Sequence, residues 1–262
     1  MASQDNPTYY ERYDWDEQDF SEMLKKKLEK IFSIIPDDVK SIVDIGCGNG
    51  AITNQLAEKY YVLGIDRSKN ALQYVNVNKF SASSDKIGIK NSTFDLVFSS
   101  ELVEHLEEEI FRKTLEEFKR ISRKYVLVTF PNNEIIEKDY VKCPECYHIF
   151  NKSYHLRSLG EPSFVMNFRG FQVMKCYEFG KGKRGYNKIL LKIKHKLVSS
   201  EAWIPPRWTK NASRNAMCPN CEKDFVIPYR FSVLGFLCDS INSLISPFKP
   251  YWLFILLKKN EL

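Results

Sequence analysis

The stretch that most constrains this chain is Val43-Asp44-Ile45-Gly46-Cys47-Gly48-Asn49-Gly50, echoed by Gly64-Ile65-Asp66. An apolar run, Ser41 to Ile45, predicts a short buried strand. It breaks into a glycine-rich turn, and a helical pattern follows from Ala51 to Tyr60. Glycines at alternate positions let the backbone turn sharply and let a ligand approach where a Cβ would stand. A second strand, Tyr61 to Ile65, leads into Asp66, about 20 residues beyond the turn, where a carboxylate can accept two ribose hydroxyls. The pattern predicts a nucleoside site at the carboxyl edge of a parallel sheet.

Spacing narrows the nucleoside. A dinucleotide fold wants Gly-x-Gly-x-x-Gly with a pyrophosphate over the helix N-terminus. Here the run is Asp-x-Gly-x-Gly-x-Gly, with Asp44 two residues before the first glycine. A carboxylate there repels a phosphate and suits an ammonium, which fits S-adenosylmethionine, zwitterionic at one end and positive at sulfur. The stretch resembles motif I of the class I S-adenosylmethionine-dependent methyltransferases, with Asp66 in the ribose position. The resemblance covers residues 40 to 180 and about 250 to 259. It implies an α/β fold: a seven-stranded, mostly parallel, Rossmann-like sheet flanked by helices. It also implies that Asp44, Gly46, Gly48 and Gly50 hold the methionine end, with Cys47, Arg67, Ser83 and Ser100 in the cofactor set. At the adenine position the family uses an acid ahead of an apolar triplet. Here Ser83, with Asp85 nearby, precedes Ile87-Gly88-Ile89, and a serine hydroxyl can still bond the exocyclic amine.

Four regions are expected. Residues 1–36 form an N-terminal cap and helix, 37–180 the methyltransferase core, 181–232 an insertion, and 233–262 a final helix and strand that complete the core. In the cap, Tyr9, Tyr10, Tyr13 and Trp15 either cover the cofactor or substrate, as in the family, or pack as an amphipathic segment. A helix from Asp19 to Phe32 carries Phe20, Met23, Leu24, Leu28, Ile31 and Phe32 on one face and its lysines outside. Further helices are expected over Lys69 to Val75, from Ser100 to Ser122, and over Ser158 to Arg169. Thr93 to Ser99, Tyr125 to Thr129 and Phe171 to Phe179 read as strands, with Tyr251 to Lys258 antiparallel beside the last of these.

Two features go beyond a minimal methyltransferase. Cys143-Pro144-Glu145-Cys146 and Cys218-Pro219-Asn220-Cys221 are each half of a tetrahedral zinc site, so a shared structural zinc is expected on Cys143, Cys146, Cys218 and Cys221. Unligated or redox cysteines are the alternative. Glycine usually follows the second cysteine of such a knuckle, whereas Tyr147 and Glu222 stand there. Cys176 and Cys238 read as core. The second feature is Glu101, Glu104 and His105, which on a helix would share one face at the sheet's carboxyl end. Glu-x-x-Glu-His resembles the metal site of small-RNA 2′-O-methyltransferases and of certain ubiquinone-pathway O-methyltransferases. By that resemblance, a divalent cation would sit at Glu101, Glu104 and His105, and His155 is the counterpart of the RNA enzymes' later histidine. Three readings stay open: a metal site, His105 or His155 as a metal-free acid or base, and a helix start with a purely structural role.

The net charge of +6 is local, because residues 181–196 carry seven Lys/Arg and no acid. Tyr186 to Val198 places Ile189, Leu190, Ile193 and Leu197 on one helical side, with Lys188, Lys192 and Lys196 on another. Such a helix can lie on an anionic membrane, contact nucleic-acid phosphates, meet an acidic substrate, or merely solubilise a packed helix. Trp203-Ile204-Pro205-Pro206-Arg207-Trp208 is expected as a lid or linker. The polar start of the chain, runs shorter than the ~18 residues a bilayer span needs, and cysteines in metal-type pairs lead to a cytoplasmic expectation. The expected activity is O-methylation of a hydroxyl on a small molecule, glycan or lipid-linked intermediate, with Glu101, Glu104, His105 and His155 around the acceptor. RNA 2′-O-methylation is the alternative, and a non-catalytic partner subunit of the same fold is a third reading.

Overall fold

The strands foreseen around the glycine turn pair in a computed structural model, which describes residues 6–13, 15, 21–204 and 214–260. The chain runs α1 (Pro7–Arg12), α2 (Glu22–Ile34), β1 (Ser41–Ile45), α3 (Thr53–Leu56), β2 (Tyr61–Asp66), α4 (Lys69–Leu72) and β3 (Asn78–Ser81). Next come β4 (Phe94–Ser100), α5 (Glu108–Ile121), β5 (Ser122–Pro131), β6 (Tyr140–Lys142), β7 (Ile149–Asn151), α6 (Glu161–Val165) and β8 (Phe171–Arg184). The last third holds α7 (Lys188–Leu197), β9 (Asn215–Met217), β10 (Asp224–Val226), α8 (Val233–Ile245) and β11 (Phe248–Lys259).

Seven strands form one sheet in the order β3-β2-β1-β4-β5-β11-β8. The first five are parallel, and β11 runs antiparallel to both β5 and β8. Strand order reverses between β1 and β4, so the crevice at their carboxyl ends is the switch point where open α/β sheets bind ligands. Strand alternation sorts the core into two layers. Val43 and Ile45 of β1 face α5, which offers Phe111, Leu115, Phe118 and Ile121 at helical spacing. Ile42, on the opposite face, packs with Ile31 and Ile34 of α2.

The differences from expectation are local. No strand is expected between the helix over 69–75 and the strand over 93–99, yet Asn78-Lys79-Phe80-Ser81 is an edge strand paired on one side, so it needs no apolar pattern. The helices after β1 and β2 shrink to α3 and α4, and α6 spans five residues. β8 continues to Arg184, so Lys181, Lys183 and Arg184 lie on a strand. The lysines of α2 do not all face outward, because Lys27 is 4% exposed. Asp19, Phe20 and residues 205–208 lie outside the described residues. Finally, α8 packs against α7 and turns its large apolar side chains outward instead of into the core.

Candidate cofactor and acceptor site

β1 ends in the glycine turn, which must pass Leu102 at the end of β4. A Cβ on Gly46 would stand 2.9 Å from Leu102 Cδ2, at a φ of +78°. At Gly48 a Cβ would meet the Trp15 ring at 3.0 Å. This close backbone passage shapes one wall of a cavity of about 430 Å³, within the range of small-ligand sites. Asp44, Gly46, Cys47, Gly48, Asp66, Arg67, Ser83 and Ser100 line it, as does His105. Gly50 stands behind the wall, with Val75 and Asn54 at its back.

Asp44 is 2% exposed and accepts one hydrogen bond, from Thr53 Oγ1 at 2.7 Å. Burial pushes its carboxyl up to about 7, so the site holds a carboxyl poised to ionise for an incoming cation. Asp66 accepts from the Gly48 N–H at 2.8 Å and the Ser68 N–H at 2.9 Å, one on each oxygen. A lone pair remains on each oxygen for a vicinal diol. Burial raises Asp66 against those two bonds. Ser83 bonds Asp85, and Ser100 shares a hydroxyl contact of 2.9 Å with Thr129.

The N-terminal segment closes over this wall. Trp15 Nε1 donates to the Tyr10 carbonyl, Asn49 Nδ2 donates to the Trp15 carbonyl, and the Glu11 carboxylate caps the start of α4 at the Lys69 and Asn70 N–H groups. Tyr10 and Trp15 both line the cavity.

The acceptor side departs from the helical picture of Glu101, Glu104 and His105. Only Val103–His105 is helical there, as a single 3-10 turn, and Glu101 precedes it with a φ of +55°. Glu101 therefore leaves the face of Glu104 and pairs with the buried Lys27 at 3.2 Å, where the Lys27 ammonium also lies over the Trp252 ring. Glu104 is 1% exposed, and neither of its oxygens has a hydrogen-bond partner among the described residues; His105 Nδ1 is likewise unpartnered. Burial, with Glu101 adding to it, pushes Glu104 well above the usual carboxylate range. Burial, reinforced by His155, holds His105 down at about 3, so its imidazole is neutral. One ligand atom each from Glu104, His105 and His155 lies within 4.8 Å of the others. His155 Nδ1 bonds Glu134, and that bond holds the Glu134 carboxyl low against the burial that would raise it.

Sequence reasoning passed over Lys27, Trp252 and Glu134. Glu134 had a positional signal, three residues beyond Pro131 at the end of β5. Lys27 had one as well: four residues after Met23 and four before Ile31, it falls inside the apolar stripe of α2.

The two cysteine pairs converge across 72 or more residues of sequence. Cys143 Sγ stands 3.7 Å from Cys221 Sγ, Cys146 Sγ 3.5 Å from Cys218 Sγ, and all four lie within 4.8 Å of one another. Four thiolates at ~2.3 Å from one tetrahedral zinc would be about 3.8 Å apart. Each pair sits in a hairpin turn, β6–β7 and β9–β10. Tyr147 and Glu222 adopt left-handed φ values of +60° and +57°, the conformation glycine ordinarily supplies in a knuckle. Tyr154 clamps the hairpins together: its hydroxyl donates to the Met217 carbonyl at 2.7 Å, and its ring lies 4.0 Å from Tyr9 of α1.

Fold and cavity together define an α/β domain of the methyltransferase kind, and residues 43–128 match the family model described as a methyltransferase domain. The chain has the class I, Rossmann-like methyltransferase fold. An S-adenosylmethionine-dependent methyltransferase from Archaeoglobus fulgidus superposes with a TM-score of 0.55 at 15% identity, over 96% of this chain and 97% of that one. Among curated relatives, a ribosomal RNA small subunit methyltransferase A from Campylobacter hominis is 32% identical over 78 residues, 30% of this chain and 27% of the relative. A probable tocopherol O-methyltransferase from Oryza sativa is 28% identical over 134 residues, 41% and 36% of the two chains. The chain thus spans only about a quarter to a third of these two relatives.

Proposed function

We propose that this protein binds S-adenosylmethionine and transfers its methyl group to a hydroxyl. The observation that carries the reading is continuity. One cavity runs from the cofactor-type loop, with Asp44 and Asp66, to Glu101 and His105. Asp44 receives the methionine ammonium and Asp66 the ribose diol. Transfer forms the acceptor O–C bond as the S–C bond breaks, and S-adenosylhomocysteine and the hydroxyl proton leave. Because the sulfonium is already a good leaving group, orientation and exclusion of water are the protein's main contributions. Tyr10 and Trp15 serve the second of these.

Glu104, His105 and His155 suit a divalent cation. Two imidazoles and a carboxylate form a common set for first-row metals, and a neutral His105 is in the state a ligand requires. An otherwise orphaned buried carboxylate finds its partner in a cation. Such an ion supplies Lewis acidity that lowers the pKa of an acceptor hydroxyl. Glu134, bonded to His155 Nδ1, would orient that ring as outer partners of metal-bound histidines do. Glu101, outside that three-residue group, lines the cavity and neutralises Lys27. For Cys143, Cys146, Cys218 and Cys221 the fit to a structural zinc is close, and we assign them that role.

The acceptor class we favour is a small molecule, glycan or lipid-linked hydroxyl. RNA is the second reading, supported by the ribosomal RNA relative and the lysines of α7. Those lysines run beside exposed apolar side chains, however, a poor match for a phosphate track. Calorimetry with S-adenosylmethionine, and elemental analysis of wild type, Cys143→Ser and Glu104→Ala, test the assignments. The expected result is cofactor binding in the micromolar range, one zinc lost only from the cysteine variant, and a second divalent ion lost only from the glutamate variant. Absence of cofactor binding overturns the activity, and salt-sensitive retention of RNA would favour the second reading.

A further inference from the structure

Helix α8 is built inside out. Its inward positions are small or polar: Gly235, Cys238 and Asn242, continued by Ser246. These fasten it to the α7 segment, with Asn242 Oδ1 accepting from the Asn187 N–H at 2.8 Å and Asn242 Nδ2 donating to the Gly185 carbonyl at 3.0 Å. Its one acidic side chain, Asp239, is used up as well, accepting from Lys194 Nζ at 2.6 Å and from the Tyr186 hydroxyl at 2.8 Å. Outward point Val233, Phe236, Leu237, Ile241, Leu244 and Ile245, with Leu244 86% exposed. At 100° per residue these cover about half of the helix circumference. A water-facing helix normally shows the reverse arrangement, and exposed apolar surface on this scale marks an interaction site.

Helix α7 extends the same face. Leu191, Lys194 and Val198 turn inward, while Ile189, Ile193 and Leu197 form an exposed stripe at four-residue steps, Ile189 being 71% exposed. Exposed Lys188, Lys192 and Lys196 run along the far edge of that stripe. No acid occurs from residue 181 to 200, and the sole acid on α8 is already paired to the buried Lys194. The face is therefore broad and apolar, with a row of exposed lysines along its α7 edge.

We propose that the α7–α8 face docks on an anionic lipid surface. Apolar side chains from two neighbouring helices suit the headgroup–acyl boundary, and lysine stems reach along it to place their ammonium groups among anionic headgroups. A second copy of the chain fits worse, since a twofold contact through this face would bring like-charged lysine rows together. No helix among the described residues is long and apolar enough to cross a membrane, so the contact is peripheral. A second cavity, of about 310 Å³, lies at the edge of this face. Ile245 of α8 lines it together with Lys138, Arg184, Lys249 and Glu134, the partner of His155. An acceptor with an anionic head would have a short path from such a surface to the acceptor side. That last point alone rests on the proposed methyl transfer.

The test is co-sedimentation of the full chain with vesicles of phosphatidylcholine alone and with about 30% phosphatidylserine, at low and at 0.5 M salt. Variants are Leu237→Ser/Leu244→Ser and Lys188→Ser/Lys192→Ser/Lys196→Ser, all at exposed positions, with melting temperature and S-adenosylmethionine affinity as folding controls. Wild type is expected to partition onto the anionic vesicles at least tenfold more than onto neutral ones, and each variant to lose at least tenfold. Equal partitioning by wild type and both variants, or none by wild type, overturns the proposal. So does a wild-type dimer at micromolar concentration that Leu237→Ser/Leu244→Ser makes monomeric, which would assign the face to a second copy. Intact lipid binding without S-adenosylmethionine binding would sink the enzymatic reading and leave this one standing.

Discussion

Replacing Asp44 by asparagine separates the cost of the cofactor site from its benefit. In the free protein the carboxyl is buried and sits at about 7, against an ordinary 3.8. At 1.36 kcal/mol per pH unit that gap corresponds to about 4 kcal/mol. The sign follows from proton counting. Between pH 4 and 7 the folded chain keeps a proton on Asp44 that the unfolded chain has released, so stability falls as the pH rises through this window and levels off above it. Asparagine removes the titration and keeps an acceptor for Thr53 Oγ1, whose bond is 2.7 Å long. Allowing for imperfect amide geometry, Asp44→Asn should gain about 2 kcal/mol at pH 8, a rise of roughly 4–8 °C in melting temperature. By pH 5, where protonation returns about 2.6 kcal/mol to wild type, the gain should be gone. Cofactor binding should move the other way. An ammonium beside Asp44 drives it to ionise, so wild type should release close to one proton on binding S-adenosylmethionine at pH 6, seen as a buffer-dependent calorimetric enthalpy. The variant should release none and bind about 10- to 100-fold more weakly, the worth of a charge-assisted hydrogen bond. A variant that melts below wild type at pH 8, or binds the cofactor equally well, refutes the reasoning.

Other perturbations probe the rest of the site. Glu101→Gln should destabilise by about 2–3 kcal/mol and Lys27→Met by about 1 kcal/mol in urea unfolding, because the first strands a buried ammonium while the second leaves a carboxylate able to turn to water. Glu104→Gln keeps the volume and removes the charge. It should abolish Mn²⁺ binding followed by electron paramagnetic resonance while changing S-adenosylmethionine affinity less than threefold, and retained binding would place the ion elsewhere or nowhere. Cys143→Ser should lose the zinc and weaken cofactor affinity several-fold, read by calorimetry. An unchanged affinity would show that the knuckle is a separate appendage.

The parallel half of the sheet was legible because its strands are buried on both faces and read as continuous apolar runs: Ser41–Ile45 matched β1 residue for residue. β3 was not, because an edge strand with one partly buried side chain, Phe80, carries no such run. The Glu101, Glu104 and His105 spacing assumed a helix, whereas the backbone there takes one left-handed residue and a single 3-10 turn. Glu101 therefore turns to Lys27 instead of sharing a helical face with His105. Helix α8 shows a different limit. A 3.6-residue period divides the helix into a face of large apolar residues and a face of Gly235, Cys238 and Asn242, but it does not say which of them meets protein. The hydrogen bonds of Asn242 and Asp239 decide that, and they depend on α7, about 50 residues earlier in the chain.

The cysteine knuckle acquires a reason from what it touches. The sheet does not need it, since both core layers close without a residue from the two hairpins. What the hairpins hold is α1. Asn6 Nδ2 donates to Glu222 Oε1 at 2.9 Å, Arg12 donates to the Glu222 carbonyl at 3.4 Å, and Tyr9 rests on Tyr154. α1 itself carries Tyr10 over His105, with ring centroids 6.3 Å apart, and Trp15 beyond it stands against Gly48. A six-residue helix is too short to hold itself in place in water, so a cover built on it needs an external anchor. A pair of hairpins tied by the proposed zinc would be a stiff one, and Glu222, held at a left-handed φ beside Cys221, contacts both Asn6 and Arg12. The geometry thus couples the four cysteines to the closing of the cofactor cavity and not to the stability of the sheet, which is why cofactor affinity is the quantity that loss of the zinc should move.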